Sequence, residues 1–135
     1  LGEFEFEAAT SNGKELGKFL KFTIKEYTKP KTYDFYYSPT SLGFELKVGF
    51  EDPEATSSAD KGYSYEFMQH NRTDINKTYP SKCTINMSDE ELTNGTKYSG
   101  TIECVMLWST FKSKDYSAGT LNAFVDLFAA FTCIN

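Results

Sequence analysis

A chain of 135 residues with a net charge of −5 is long enough to bury one core, and we expect residues 1–135 to form a single domain. The acidic balance argues against a general nucleic-acid binder, which needs a basic face to displace counterions from phosphates. No apolar run approaches the roughly 18 residues that cross a bilayer, so the sequence predicts no membrane span.

Aromatic residues dominate the apolar part of the composition. They make up 16% of the chain, as twelve Phe, nine Tyr and one Trp. Large rings bury much surface each, so a modest number of apolar residues can still fill a core. Phe, Tyr, Thr and Val also suit pleated sheet better than helix. The composition therefore favours a β protein.

Apolar and polar residues alternate from the start of the chain. Phe4 and Phe6 face one way and the glutamates around them the other, which predicts a half-buried strand. Further alternating runs follow in chain order at 33–37, 44–50, 63–67, 83–87 and 98–111. In the last run we place Ile102, Cys104, Met106 and Trp108 on one face. Short strands separated by turn residues predict an all-β, antiparallel sandwich of about 7–9 strands, with a small β-barrel as the alternative.

Two segments fit either a helix or a strand. The run from Leu16 to Tyr27 carries a helical stripe, but Phe22 and Ile24 alternate with polar residues and we favour a strand. The tail from Leu121 onward presents an unbroken apolar strand face, although Asn122 and Asp126 lie one helical turn apart. Its β-branched and aromatic content favours a strand that is buried on most of both faces.

One short helical turn is predicted at residues 89–93. Ser88 and Glu91 have the spacing of a capping box, in which each side chain binds a free backbone N–H of the first turn. Asn94-Gly95 would end the turn. Residues 54–61 form a polar stretch that we interpret as a loop.

Four N-x-[ST] triplets lie between residues 71 and 96, which is more than the composition gives by chance. Each could accept an N-linked glycan in a eukaryotic secretory pathway. The alternative is a polar segment of a protein that never meets a glycosyltransferase. We favour secretion, with these candidate acceptors: Asn71, Asn76, Asn86 and Asn94.

The three cysteines all fall on predicted core faces. If Met87 pairs with Gly100, Cys83 lies opposite Cys104, close enough for a disulfide, and Cys133 stays a buried thiol. A Cys104–Cys133 bridge is the rival, because a sandwich can place non-sequential strands side by side. The spacings fit neither a CxxC redox motif nor a zinc site, so no metal site is predicted.

Catalytic chemistry has few candidates in this chain. A hydrolase would have to use His70, the single histidine, with Glu66 or Asp74 orienting its ring. Acidic residues of the 52–60 stretch lack the spacing of a calcium loop. No glycine-rich phosphate motif is present. We therefore predict no catalytic residues, no cofactor and no enzyme activity.

Tyr36 is the best candidate for a binding residue, because it falls on the polar face of its strand. An exposed Tyr ring stacks on sugars or anchors a protein partner. We expect a secreted or cell-surface binding module that recognises a protein or a glycan. A barrel that carries a lipid or another apolar ligand is the alternative, and a hydrolase using His70 is a weaker one. A bacterial lipoprotein anchored through a cysteine before Leu1 would also fit the chain.

The clustered triplets give a first test. In material secreted from eukaryotic cells, treatment with an N-glycosidase should lower the mass by one or more glycans, and mapping should place them on the four asparagines. Replacing all four by Gln is the matched control and should abolish the shift. An unchanged mass in secreted material would show that these triplets are not used.

Overall fold

The computed structural model describes residues 2–9, 18–40, 42–51, 62–109 and 124–135. The predicted loop at 54–61 and the acidic positions of the 52–60 stretch lie outside these ranges. The described residues contain strands and no helix. The ten strands are β1 (Gly2–Ala9), β2 (Phe19–Tyr27), β3 (Thr32–Tyr36), β4 (Phe44–Glu51), β5 (Gly62–Glu66), β6 (Gln69–Arg72), β7 (Lys77–Pro80), β8 (Lys82–Leu92), β9 (Gly95–Ser109) and β10 (Phe124–Ile134).

Eight strands form one antiparallel sheet that folds back on itself as two layers. Its order is β1-β2-β4-β5-β9-β8-β3, with β10 also paired to β9, while β6 and β7 form a separate hairpin. We call β1, β2, β4 and β5 layer A, and β3, β8, β9 and β10 layer B. The layers are packed face to face by aromatic rings: Phe22 lies 5.2 Å from Phe131, and Phe35 stacks on Phe44 at 4.5 Å between ring centroids. The predicted all-β sandwich is confirmed, and the described strands do not close into a barrel.

The core consists of the inward positions that alternation predicts. Phe4 and Phe6 of β1 are buried while the glutamates between and beside them are exposed. Burying a large apolar side chain stabilises the fold by about 1.5–3 kcal/mol. Of the run from Leu16 to Tyr27, ambiguous in sequence, residues 19–27 form strand β2, and residues 16 and 17 lie outside the described ranges. The side chains that are almost wholly buried include Phe22, Ile24, Ile85, Ile102 and Leu107.

The predicted disulfide is present. Met87 pairs with Gly100 and Cys83 with Cys104, and the two sulfurs are bonded across Cα atoms 4.1 Å apart. Cys133 is a free cysteine opposite Tyr98, so the rival bridge does not form. The expected burial of Cys133 is wrong, because its strand has a neighbour on one edge only and leaves the thiol partly exposed. Its partial burial raises the pKa of the Cys133 thiol.

The predicted helical turn at residues 89–93 is wrong. Strand β8 continues to Leu92, and a two-residue turn at 93–94 leads directly into β9. The Ser88 hydroxyl lies 3.3 Å from that of Ser99 across the ladder and does not cap a helix. Pairing with β9 supplies the backbone hydrogen bonds that a single helical turn would leave incomplete. The ladder therefore overrides the local capping signal.

The predicted inward face of β9 holds as far as Cys104 and then shifts. Val105 and Met106 together oppose the single residue Asp126 of β10, and Met106 has a φ of 59°. This is a β-bulge: it inserts one extra residue into β9, so beyond it the opposite set of alternate side chains faces the core. Leu107 is therefore fully buried in the core, and Met106 is not. The expectation that Met106 shares the core face with Cys104 is wrong for this reason, whereas Trp108 is buried, although it packs against His70 and Tyr79 of the β6–β7 hairpin.

The bulge is stabilised by two side chains from neighbouring segments. The Asp126 carboxylate accepts a hydrogen bond from the Met106 N–H at 3.1 Å. The hydroxyl of Ser81, which is fully buried, is within hydrogen-bonding distance of the Met106 carbonyl oxygen. It also accepts a hydrogen bond from the Met68 N–H at 3.1 Å. Both backbone polar groups of Met106 thus have partners where the regular ladder is interrupted.

From Phe124 the tail is a strand, as predicted, but one of its faces is exposed; residues 121–123 lie outside the described ranges. Strand β10 pairs with β9 from Phe124 to Ile134. Phe131 is buried in the core, whereas Phe128 on the opposite face is 71% exposed. The expected burial on both faces is therefore wrong, because the described residues leave Phe128 and Ile134 exposed on the outer side of β10.

Removing the disulfide gives a test of the fold. In the chain-entropy model a loop of about twenty residues contributes roughly 3 kcal/mol, so the double substitution Cys83→Ala and Cys104→Ala should lower the free energy of unfolding by about that amount. Denaturant titration measures the loss. Cys133→Ala is the matched control and should change stability by less. Equal losses in the two variants would contradict the assignment.

The tyrosine cluster at the opposite end from the bulge contains a buried hydroxyl. The Tyr27 ring packs against Phe4 at 5.3 Å and against Tyr33 at 6.0 Å between centroids. Its hydroxyl is buried and has no hydrogen-bond partner among the residues that the structure describes. Burial, together with Tyr98, Tyr33 and Asp89, raises the pKa of Tyr27 from its usual 10.0 to about 12.

This shift predicts how stability depends on alkaline pH. An unfolded chain loses the Tyr27 proton near pH 10 and the folded one near pH 12, so stability should fall as the pH rises through that window. Tyr27→Phe should reduce this fall and, by removing an unpaired hydroxyl, should stabilise the protein by up to about 1 kcal/mol at pH 7. Denaturant titrations at pH 7 and pH 11 measure both effects. A variant with the same alkaline loss as the wild type would contradict the prediction.

Candidate functional site

The outer faces of the two layers differ in chemistry. On layer A, ion pairs link neighbouring strands: Lys25 with Glu45, and Lys47 with Glu66, each at 3.6 Å between nitrogen and oxygen. These pairs are partly exposed, so each contributes little to stability. Mixed charges of this kind keep a surface solvated. The outer face of layer A is therefore a solvated surface.

The outer face of layer B carries hydroxyls, a few charges and exposed apolar groups. Strand register aligns its side chains in rows across β3, β8 and β9. One row is Tyr36–Lys82–Val105. The next row is Asp34–Thr84–Glu103, in which the Thr84 hydroxyl donates a hydrogen bond to Asp34 at 2.7 Å. We call these six residues the Tyr36 face.

Tyr36 projects outward because Tyr33 and Phe35 of the same strand point into the core. Its side chain is 64% exposed, so the expectation from alternation is confirmed. The Lys82 ammonium nitrogen lies 5.0 Å from the Tyr36 ring centroid, within the range of a cation–π contact. The Tyr36 hydroxyl, followed by Asp34 and Glu103, raises the pKa of Lys82. The face therefore presents a permanent positive charge beside an aromatic ring.

Val105 completes the apolar part of the Tyr36 face and was missed by sequence analysis. It is 40% exposed, on the outer side of β9. The predicted register of Cys83 against Cys104 already implied its position, because the preceding residue Lys82 must then face Val105. An exposed valine on the outer face of a strand is unremarkable alone. Its place in a row with Tyr36 makes it part of a surface suited to binding.

The four candidate glycosylation sites are all exposed. Asn71 and Asn76 belong to the β6–β7 hairpin, and Asn94 lies in the turn between β8 and β9. Asn86 lies on the outer face of layer B, where its Oδ1 accepts a hydrogen bond from the Thr32 hydroxyl at 2.7 Å. Their exposure meets the first requirement for modification, and their use stays a prediction.

His70 is packed against an aromatic ring and the two carboxylates proposed to orient it have other partners. Its ring centroid is 4.8 Å from that of Trp108, whose Nε1–H donates to the Tyr79 carbonyl at 2.9 Å. Glu66 pairs with Lys47. Asp74 pairs with Arg72 at 2.6 Å, which lowers the pKa of that carboxyl. Both carboxylates that the sequence suggested as orienting groups for His70 are therefore paired with basic side chains.

Among the described residues, no three His, Cys, Asp or Glu side chains gather in a way that could hold a metal ion. The described part of the chain also contains no helix that is long and apolar enough to cross a membrane. Comparisons with protein-family models, with curated proteins and with solved structures gave no match.

Proposed function

We propose that this protein is a secreted or cell-surface binding domain without catalytic activity, and that the Tyr36 face recognises a protein partner. One observation carries the proposal: Tyr36 and Val105 are exposed on either side of the partly exposed Lys82 in one row on layer B, while the outer face of layer A carries charges that include two ion pairs between strands. The two faces of the sandwich are thus chemically unequal.

A protein suits this surface because the surface is the broad outer side of a sheet. Tyr and Val supply apolar area, and tyrosine is enriched among the residues that dominate binding energy. Asp34, Lys82 and Glu103 surround that area with charges of both signs. Charged groups at the margin of an interface select the partner and set the association rate more than they add affinity.

Location outside the cell is supported by the disulfide and by the sequons. Disulfides persist in oxidising compartments. Cys83 and Cys104, which form the bridge, are both fully buried in the core. All four sequons are exposed, as the attachment of glycans requires. The two observations are independent of one another and favour the same compartment.

The other two hypotheses have less support. A carrier needs a closed barrel with an open interior, whereas the described strands leave the sheet unclosed and aromatic rings fill the space between the layers. A hydrolase needs a base that a third group orients, and the carboxylates nearest to His70 in sequence pair with Lys47 and Arg72.

The test compares variants of the Tyr36 face in cross-linking to intact cells. A photoreactive group attached at Thr84 should link the protein to a discrete cell-surface protein. Tyr36→Ala should weaken that binding by about 30-fold, the effect of losing a hot-spot residue of roughly 2 kcal/mol. Lys82→Glu should also weaken it. Leu42→Ala is the control, because Leu42 is 65% exposed but lies outside the Tyr36 face.

Three results are informative. Loss of the cross-link in Tyr36→Ala and its retention in Leu42→Ala support the proposal. Equal binding by the wild type and both face variants contradicts it. Binding that free sugars displace, or that disappears from deglycosylated cells, would replace the protein partner with a glycan, on which an exposed tyrosine also stacks.

A further inference from the structure

Three strands of the described sheet have a neighbour on one edge only: β1, β3 and β10. An unpaired edge offers a row of N–H and C=O groups to any other chain, and proteins usually protect it with charges or by keeping the strand short. Strand β1 carries Glu3, Glu5 and Glu7, all exposed. Strand β3 has five residues only. These two edges are protected in the usual ways.

Strand β10 has neither protection. It is 11 residues long and its single charged residue is Asp126. Its outer face exposes Phe124 at 49%, Phe128 at 71% and Ile134 at 68%. A long, apolar strand with one edge that no described residue pairs is a surface to which another strand can add.

We propose that β10 pairs antiparallel with β10 of a second copy, forming a homodimer with two-fold symmetry. Full overlap of the strand from Phe124 to Ile134 fixes the register, because its midpoint, Ala129, must lie opposite Ala129 of the second copy. Outward side chains then meet outward side chains, as the alternation of a sheet requires.

The side chains are complementary in this register. Phe128 lies opposite Ala130 of the second copy, so a large ring meets a small residue, and Phe124 lies opposite Ile134. Asp126 lies opposite Thr132, so the one acidic group of the strand does not face its own copy. A register centred on Asp126 would place two carboxylates directly opposite each other, which is unfavourable. The strand is thus chemically suited to pair with itself.

Backbone hydrogen bonds would supply much of the affinity, and the facing side chains the specificity. An antiparallel pair of this length forms about ten, as many as a typical protein interface carries. An isologous contact of this kind closes on itself and ends at the dimer. None of the four sequons lies on β10.

The register gives a charge test that does not touch the Tyr36 face. Thr132 is exposed on β10, so its substitution should leave the fold intact. Thr132→Lys puts a positive charge opposite Asp126 of the second copy and should tighten the dimer by roughly 2- to 30-fold, since two such pairs form. Thr132→Asp should weaken the dimer by a similar factor. Sedimentation equilibrium measures the dissociation constants.

Two controls separate this interface from the alternatives. Glu5→Thr on the β1 edge should leave the dissociation constant unchanged. In a Cys133→Ser background, Ala129→Cys should form a disulfide-linked dimer under mild oxidation, because the two-fold axis places this position opposite itself. Tyr36→Ala should dimerise like the wild type, so failure of the proposed function and failure of the dimer are distinguishable.

A protein that stays monomeric into the millimolar range would overturn the proposal. So would a dimer in which Thr132→Lys and Thr132→Asp change the affinity in the same direction, or one that responds to Glu5→Thr but not to changes in β10. Monomeric protein that instead captures an added synthetic peptide with the β10 sequence, with the same response to Thr132 charges, would assign the edge to a strand of another chain and overturn the homodimer.

Discussion

Strand β9 is shared by both layers, and the bulge at Val105–Met106 is the feature that allows it. Up to Val105 one edge of β9 pairs with β8, and beyond the bulge the same edge pairs with β5 through Trp108 and Ser109. Strand β10 occupies the opposite edge throughout. A bulge bends its strand and increases the local twist, so β9 can leave layer B and join layer A without breaking the sheet. Ser81 and Asp126 satisfy the polar groups of Met106 at that point, and the sandwich depends on this change of partner.

The same bulge determines where the Tyr36 face ends. The Ser81 carbonyl accepts a hydrogen bond from the Tyr37 N–H at 2.9 Å, which ties the end of β3 to the start of β8. Lys82 follows directly and pairs with Val105, the last residue before the strand changes direction. The position of Tyr36 is therefore fixed by the pairing of β3 with the start of β8, next to the buried Ser81. The proposed binding surface thus lies on paired strands, and a surface that is ordered beforehand loses little entropy when a partner docks.

Sequence predicted the parts of this fold that depend on local periodicity. Alternation identified Phe4 and Phe6 as core residues, and the register through Met87 and Gly100 identified the disulfide, because both follow from side chains pointing to opposite faces. The exposure of Tyr36 was predicted for the same reason. The helical turn after Ser88 was wrong because a capping box is a local signal, and pairing with a distant segment outweighed it. Neither the bulge at Met106 nor the open edge of β10 has a local signature: both depend on which strands become neighbours.

The two proposed surfaces of layer B can be used at the same time. Tyr36 lies on β3 and the dimer edge is β10, three strand spacings away, or roughly 14 Å. Pairing two copies through β10 continues the outer face of layer B across the two-fold axis, so the second Tyr36 face lies on the same side of one extended sheet. A partner that is itself repeated on a cell surface would then bind both faces, and the second contact would form at a high effective concentration. A single face of modest area would gain affinity in this way without any additional contact, which gives the unprotected edge of β10 a role in binding.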